Sequence, residues 1–197
     1  MSATEPRAMR ADARRNRERI LDVARRLLAD KGADVQIDDI ARTAGVGVGT
    51  FYRHFPTKDA LIGELLVRKF RDRAEQIDRF REIEDPWEAF TAFVHDSAEK
   101  MAADAAEQNM WWAVTPEAME YALGDRNALF ERVRQLVARG HEAGVLREDF
   151  EASDFPTIMC GLGANMQAAR QHAEVLGDER HDWRRLLEYV LDGVRAR

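Results

Sequence analysis

The sequence predicts an all-α protein: a small three-helix head at the N-terminal end, a long fourth helix, and a larger helical body. Three observations predict it. Apolar residues recur at helical spacing along nearly the whole chain. No stretch of six residues alternates apolar and polar side chains between turn clusters, so strand signals are nearly absent. Only 5 prolines and 12 glycines occur in 197 residues, which excludes collagen-like and low-complexity classes.

The first helix shows Ile20, Val23, Ala24, Leu27 and Leu28 on one face and stops at Lys31-Gly32, a cation followed by a glycine. Ile37, Ile40 and Ala41 mark a short second helix that ends before Gly45, and a third short segment runs from about Val48 to Phe55. Pro56-Thr57 breaks the chain. Thr57 is a good N-cap, and Asp59 sits where a carboxylate favours the helix dipole. The long fourth helix follows with Leu61, Leu65, Leu66, Phe70 and Ile77 inward, reaching about Arg81. Pro86 opens the next helix, with Trp87, Phe90, Val94, Ala98 and Met101 spaced near 3.5. Leu129, Val133, Leu136 and Val137 define another, ending near Gly140 and Gly144, and 144–150 reads as a turn. The last two helices are expected over 155–176, with Ile158, Met159, Leu162, Met166 and Ala169 inward, and from Trp183 to Val194.

Composition bounds the class. Hydrophobic residues make up 45% and charged residues 34%, enough for a packed core. The single cysteine, Cys160, excludes an internal disulfide and a thiolate zinc site, and fits a reducing compartment. No window approaches the ~20 apolar residues of a membrane span, and no apolar stretch of signal-peptide type follows the basic N-terminus. The expected location is the cytoplasm. The net charge is −6, but it is unevenly placed. Residues 1–73 hold 16 Lys/Arg and 11 Asp/Glu, whereas 74–197 hold 14 and 25. A basic head on an acidic body suggests a local polyanion-binding module.

The segment Ile37–Lys58 reads IDDIARTAGVGVGTFYRHFPTK. Two short helices are joined by a tight turn at Ala44-Gly45-Val46, where Gly45 suits positive φ, and Ile40, Ala41, Val46 and Phe51 form a joint core. This is helix-turn-helix physics, in which the second helix fits a major groove. The run Gly49-Thr50-Phe51-Tyr52-Arg53-His54-Phe55, with Lys58 and Ala60-Leu61 after it and Asp39-Ile40-Ala41 before it, resembles the DNA-binding head of the TetR family of bacterial repressors. The resemblance covers residues ~12–75 strongly; the rest agrees in length and helicity.

The resemblance implies a DNA-binding domain over 12–75 and a helical ligand-binding and dimerisation domain over 76–197. It implies that Thr50 and Tyr52 touch DNA, that His54 and Lys58 contact phosphate, and that Gly47, Val48 and Gly49 form the leading end of the recognition helix. Those three offer no side-chain hydrogen bond, so base reading leans on Thr50, on Val48 against a thymine methyl, on close backbone approach and on DNA shape. Asp38 stands where the family can place a basic base reader. Phe51 and Phe55 read as core, and Arg53 as a solvent-facing residue without an assigned role. Arg7, Arg10, Arg14 and Arg15 form either a minor-groove arm or terminal charge without a fixed place.

The expected partners are an operator duplex, a second copy of the chain through the last two helices, and a small apolar or amphipathic effector; no membrane. Gly161, Gly163, Ala164 and Ala168 keep the penultimate helix slim for close approach. Trp87, Phe90, Met101, Met110, Trp111, Phe130, Met159 and Met166 are pocket candidates or plain core, and Asn165, in the apolar stripe, orients a ligand or fixes dimer register.

No cofactor or metal is expected. The glycine run 45–49 follows a helix rather than a strand, which argues against a phosphate loop. His172, Glu174, Asp178 and His181 have no metal-ligand spacing and read as a solvated loop. No hydrolase, metalloprotease or kinase signature occurs, so no enzyme is expected. The function predicted is a transcriptional repressor released from its operator by an effector. The competing classes are an effector-independent activator or architectural binder, and a helical enzyme with a vestigial head.

Overall fold

The computed structural model describes residues 5–104, 111, 113–171 and 182–197. Among the described residues it holds nine α-helices: α1 (Glu5–Lys31), α2 (Ile37–Thr43), α3 (Val48–His54), α4 (Lys58–Arg81), α5 (Pro86–Ala103), α6 (Pro116–Tyr121), α7 (Leu123–Glu142), α8 (Asp154–Gln171) and α9 (Trp183–Val194). A 3-10 turn, Gly32–Asp34, follows α1, and the one β-pairing among these residues is an isolated bridge between Leu146 and Arg195. No described helix is long and apolar enough to cross a membrane.

The described residues fall into two compact units. One lies within Met1–Arg68 and Ala105–Leu123, the other within Lys69–Asp104 and Gly124–Arg197. The boundary therefore falls inside α4, after Arg68, and the first unit gains a segment remote in sequence.

In the first unit, Ile20, Leu21, Ala24 and Leu28 of α1 are buried with Ile40 and Ala41 of α2, Phe51 of α3, and Leu61, Ile62 and Leu66 of α4. Removing the Phe51 ring alone would cost about 3–5 kcal/mol at such a site. α4 starts where expected: Thr57 Oγ1 accepts from the Ala60 N–H at 3.0 Å. α6 packs on α4 with unusual closeness. A Cβ built on Gly63 would lie 2.5 Å from Tyr121 Cβ and 2.9 Å from the Ala118 carbonyl oxygen. Thr115 caps α6 by accepting from the Ala118 N–H at 3.0 Å, and donates to Asp59 Oδ1 at 2.6 Å.

In the second unit, Ile77, Phe90, Phe93 and Val94 pack with Leu136, Leu162, Leu187 and Leu191. Asp85 caps α5 by accepting from the Glu88 N–H at 2.8 Å, and Pro86 occupies the first turn, where its missing donor costs nothing. α7 ends on Gly144 at φ +66°. Val145 N–H bonds the Gly140 carbonyl and Gly144 N–H the His141 carbonyl, both at 2.9 Å, the double closure that a left-handed glycine permits.

Two expectations need correction. The N-terminal arm is not a free extension: the backbone is helical from Glu5, and Arg14 and Arg15 stand on the exposed side of α1, Arg15 paired with Asp12. Arginine-rich segments have high helix propensity even without an apolar stripe. The side chains of Arg7 and Arg10 lie outside the described residues. α7 ends at Glu142, between Gly140 and Gly144 as the sequence implies. Gly140 lies in its last turn, where Leu146 folds back so closely that a Cβ would meet its Cδ1 at 2.5 Å. Gly163 does not serve the outer face of α8 but lies against Met101 Sδ, 3.2 Å from a built Cβ. Residues 172–181, with the loop containing His172, Glu174, Asp178 and His181, lie outside the described residues.

Candidate nucleic-acid interface

The turn between α2 and α3 is built by one glycine. Gly45 has φ +64°, Val46 N–H bonds the Ala41 carbonyl at 3.0 Å, and Gly45 N–H bonds the Arg42 carbonyl at 3.1 Å. These bonds satisfy the last carbonyls of α2 and turn the chain into α3. Phe51 anchors α3 inward, its ring 5.7 Å from Tyr52 and 5.9 Å from Phe55. With Phe51 buried, the opposite side of α3 faces out.

That outer side carries Gly47, Val48, Gly49, Tyr52 and Arg53, all exposed. Val48 is 40% and Tyr52 47% exposed, both among the few large apolar or aromatic residues left open. Thr50 and His54 flank this side and are half-buried. The Thr50 N–H is spent on the Gly47 carbonyl at 2.8 Å. The His54 ring lies 6.5 Å from Phe55. Lys58 stands at the start of α4, and its Nζ donates to the Ala33 carbonyl at 2.5 Å. An ammonium has three donors, so this bond positions it and leaves two for a phosphate.

Arg53 joins these residues, although its type and spacing assign it no contact in the sequence. It stands one turn after Gly49, opposite Phe51, so its guanidinium shares the outer side with Tyr52. The i, i+4 spacing from Gly49 is the signal that places it there.

Of the two acidic residues of α2, Asp39 is tied down. Asp39 accepts from Lys31 Nζ at 3.0 Å and from Arg42. The Lys31 hydrogen bond and charge hold its carboxyl below the usual range, so it stays ionised. Asp38 is exposed and projects its charge into solvent.

An ionic lattice fixes α1 on α4. Arg68 makes a two-pronged bond to Glu18 at 2.7 and 2.8 Å, Arg17 bonds Glu64 at 2.8 Å, and the Arg17 guanidinium lies 5.0 Å over the Phe55 ring. Hydrogen bonding from Arg68 lowers the Glu18 carboxyl, and that from Arg17 lowers Glu64. The sequence shows these charges but not their pairing, which spans 47 to 50 residues.

The pocket candidates distribute differently. Phe90, Met101, Met159 and Met166 are buried in the second unit's core. Trp87 is half-buried, with Arg195 at 4.9 Å over its ring, and Phe130 lies under Arg126 at 5.0 Å. Trp111 belongs to the first unit, and Met110 lies outside the described residues. The Asn165 side-chain oxygen is buried and finds no donor among the described residues.

The family described as bacterial regulatory proteins of the tetR family matches residues 20–65. The C-terminal domain described as transcriptional regulator SbtR-like matches residues 85–196. An HTH-type transcriptional regulator of Staphylococcus aureus (strain USA300) is 36% identical over 80 residues, 40% of this chain and 42% of that protein. The chain thus matches less than half the length of such curated relatives. A TetR transcription regulatory protein of Mycobacterium vanbaalenii is 29% identical with a TM-score of 0.59, covering 95% of this chain and 99% of that one. A TetR regulator of Streptomyces coelicolor is 26% identical with a TM-score of 0.56, covering 91% and 98%.

Proposed function

This chain belongs to the TetR family of bacterial transcriptional regulators, not to a family of enzymes, and from that premise we propose that it is a homodimeric repressor that leaves its operator when a small apolar or amphipathic molecule binds. The observation that carries the reading is the outer side of α3. It presents a phenol, a guanidinium, an apolar tip and two bare backbone positions from a helix anchored by Phe51. The phenol of Tyr52 and the cations of Lys58 and Arg53 suit phosphate oxygens, while Thr50 and the 47–49 end meet base edges. His54 adds a ring nitrogen at the edge of the same surface.

Residues 12–75 act as the DNA-binding domain and 76–197 as the dimerisation and ligand domain, in the cytoplasm. The exposed side of α8 carries Thr157, Cys160, Gly161 and Ala164, small residues that admit a second helix closely, and Tyr189 of α9 is 58% exposed. These support pairing through the last two helices about a two-fold axis. Asn165, with its unmet carbonyl, supports a polar anchor for the effector. Trp87, Phe130 and the methionines supply adaptable apolar surface. Helix α4 contributes to both units. An effector that prefers one position of α4 therefore shifts the spacing of the paired heads, by no more than its differential affinity for the two states.

The test is selection of randomised duplexes on the purified protein at about 150 mM salt with nonspecific competitor. The expected product is a two-fold-symmetric site with half-sites about 34–36 Å apart, one turn of DNA. A verified dimer that enriches no duplex refutes DNA recognition. Titration of the tryptophan fluorescence with apolar ligands, followed by release of the selected duplex, tests the effector. A ligand that saturates without releasing DNA refutes repression by this route.

A further inference from the structure

We propose that the cleft between the loop after α7 and the end of α9 is a binding site for a small molecule that carries a phosphate group. The cleft lies wholly in the second unit, whereas α3 lies in the first. The inference therefore goes beyond the reading of α3 as a DNA-binding helix and does not depend on it.

The cleft has a volume of about 410 Å³ and is lined by Arg147, Asp149, Gly193, Arg195 and Arg197. The antiparallel bridge between Leu146 and Arg195 brings the two segments together. The lining side chains that carry charge are three guanidiniums and one carboxylate. They stand on a body whose residues 74–197 hold 14 Lys/Arg and 25 Asp/Glu, so this cleft runs against the charge of the surface around it. Like charges held in one cleft repel one another, and a bound anion relieves that repulsion.

The three guanidiniums differ in what already holds them. Arg147 donates to both oxygens of Asp149 and to the Gly193 carbonyl, so its charge is met and it serves as a wall. Arg195 places its Cζ 4.9 Å from the centre of the Trp87 ring. This stack fixes the guanidinium and leaves its five N–H groups for other partners. Neither Arg195 nor Arg197 makes a side-chain hydrogen bond or an ion pair among the described residues. The cleft thus offers two positive charges that no side-chain carboxylate answers. Two charges suit a dianion. A phosphate monoester carries about −1.5 to −2 at neutral pH on one head with three acceptor oxygens, and a guanidinium meets two such oxygens at once. A monocarboxylate brings less charge, and a dicarboxylate divides it between two ends. The volume falls within the range of small-molecule sites, so an organic body fits behind the head.

The experiment is calorimetric titration of the full-length, DNA-free protein with inorganic phosphate, glycerol 3-phosphate and succinate at constant ionic strength. Both phosphate compounds should saturate at one per protomer, and succinate should bind more weakly than either. Arg195→Gln and Arg197→Gln should each weaken phosphate binding about tenfold, the loss of one charge-assisted hydrogen bond. Neither side chain bonds another described residue, so both variants should keep the wild-type melting temperature, as thermal unfolding will verify. Lys58→Ala should leave phosphate binding unchanged, which separates this cleft from the cations beside α3. Three results would each overturn the proposal. One is the lack of saturable binding of either phosphate compound up to about 10 mM. Another is equal affinity in the wild type and both arginine variants, or a loss confined to Lys58→Ala, which moves the anion to the head. The third is tighter binding of succinate than of phosphate, which assigns the cleft to another class of ligand.

Discussion

Replacing Gly63 by alanine puts the packing of α6 on α4 to a quantitative test. The new Cβ would sit 2.5 Å from Tyr121 Cβ, 2.9 Å from Tyr121 Cγ and 2.9 Å from the Ala118 carbonyl oxygen. None of these atoms can swing away, because one is backbone and the others begin a side chain. Ordinary contact needs 3.4 Å or more, so α6 must retreat by roughly 1 Å. Overpacking of this kind costs about 1–3 kcal/mol. Alanine returns about 0.8–1.0 kcal/mol over glycine inside a helix. The net change is a loss of roughly 0–2 kcal/mol. Gly49→Ala is the matched control: ordinary φ, open space, and a gain of about 0.5–1 kcal/mol. The two variants should therefore differ by roughly 2 kcal/mol, or about 4–8 °C in melting temperature for a chain of this size. Thermal unfolding followed by circular dichroism reads the difference, and hydrogen exchange locates it, with amides of α6 losing protection in Gly63→Ala alone. Equal melting temperatures with α6 fully protected would refute the close approach.

Other expectations follow from the same contacts. Tyr52→Ala and Lys58→Ala should each weaken operator binding about tenfold while leaving the dimer intact, and Lys58→Ala should lower the salt-dependence slope by about two, one phosphate per half-site; unchanged affinity and slope in both would refute these roles. The Glu18 and Glu64 carboxyls are held below their ordinary values, so the stability they bring is complete above the unfolded carboxyl range, ~4.3, and is lost as pH falls through the depressed values. Arg68→Gln should consequently bring acid unfolding on at higher pH, and coincident acid transitions would show that the lattice contributes nothing. Cys160 on the exposed side of α8 should react with a thiol reagent more slowly as the protein dimerises; a rate that does not change on dimerisation places the interface elsewhere than beside Cys160.

What the sequence made legible follows from how local each feature is. The α2–α3 turn was readable because its glycine, its neighbouring apolar residues and its hydrogen bonds lie within six positions. The caps by Thr57 and the start at Pro86 were readable for the same reason. α1 begins earlier than its apolar stripe because arginine and alanine sustain a helix without one. α6 escaped notice because it is a single short helix whose one fully buried residue is Ala118, too little for a periodic signal. Its partner Gly63 carries no local mark, since an interior helix glycine means nothing until the neighbour is known. At the interface, residue types announced the chemistry, but their engagement is tertiary. Lys58 on the Ala33 carbonyl and Arg17 between Glu64 and Phe55 join positions 25 to 47 apart. The outward place of Arg53 was available from its spacing to Gly49 and became decisive only once Phe51 fixed which side faces in.

The bridge between Leu146 and Arg195 has an experimental use. Arg147 N–H bonds the Val194 carbonyl and Ala196 N–H bonds the Val145 carbonyl, both at 3.0 Å, while the Arg147 guanidinium reaches the Gly193 carbonyl at 3.2 Å. The final turn of a terminal helix ordinarily frays on its own and reports nothing beyond itself. Here the Gly193 and Val194 carbonyls accept from Arg147 and the Ala196 N–H donates to Val145, so the end of the helix and the loop that follows α7 open together. Solvent exchange at Ala196 becomes a reporter placed at the edge of the second unit, readable as a single resolved signal, for whatever loosens or tightens the helices on either side of that loop.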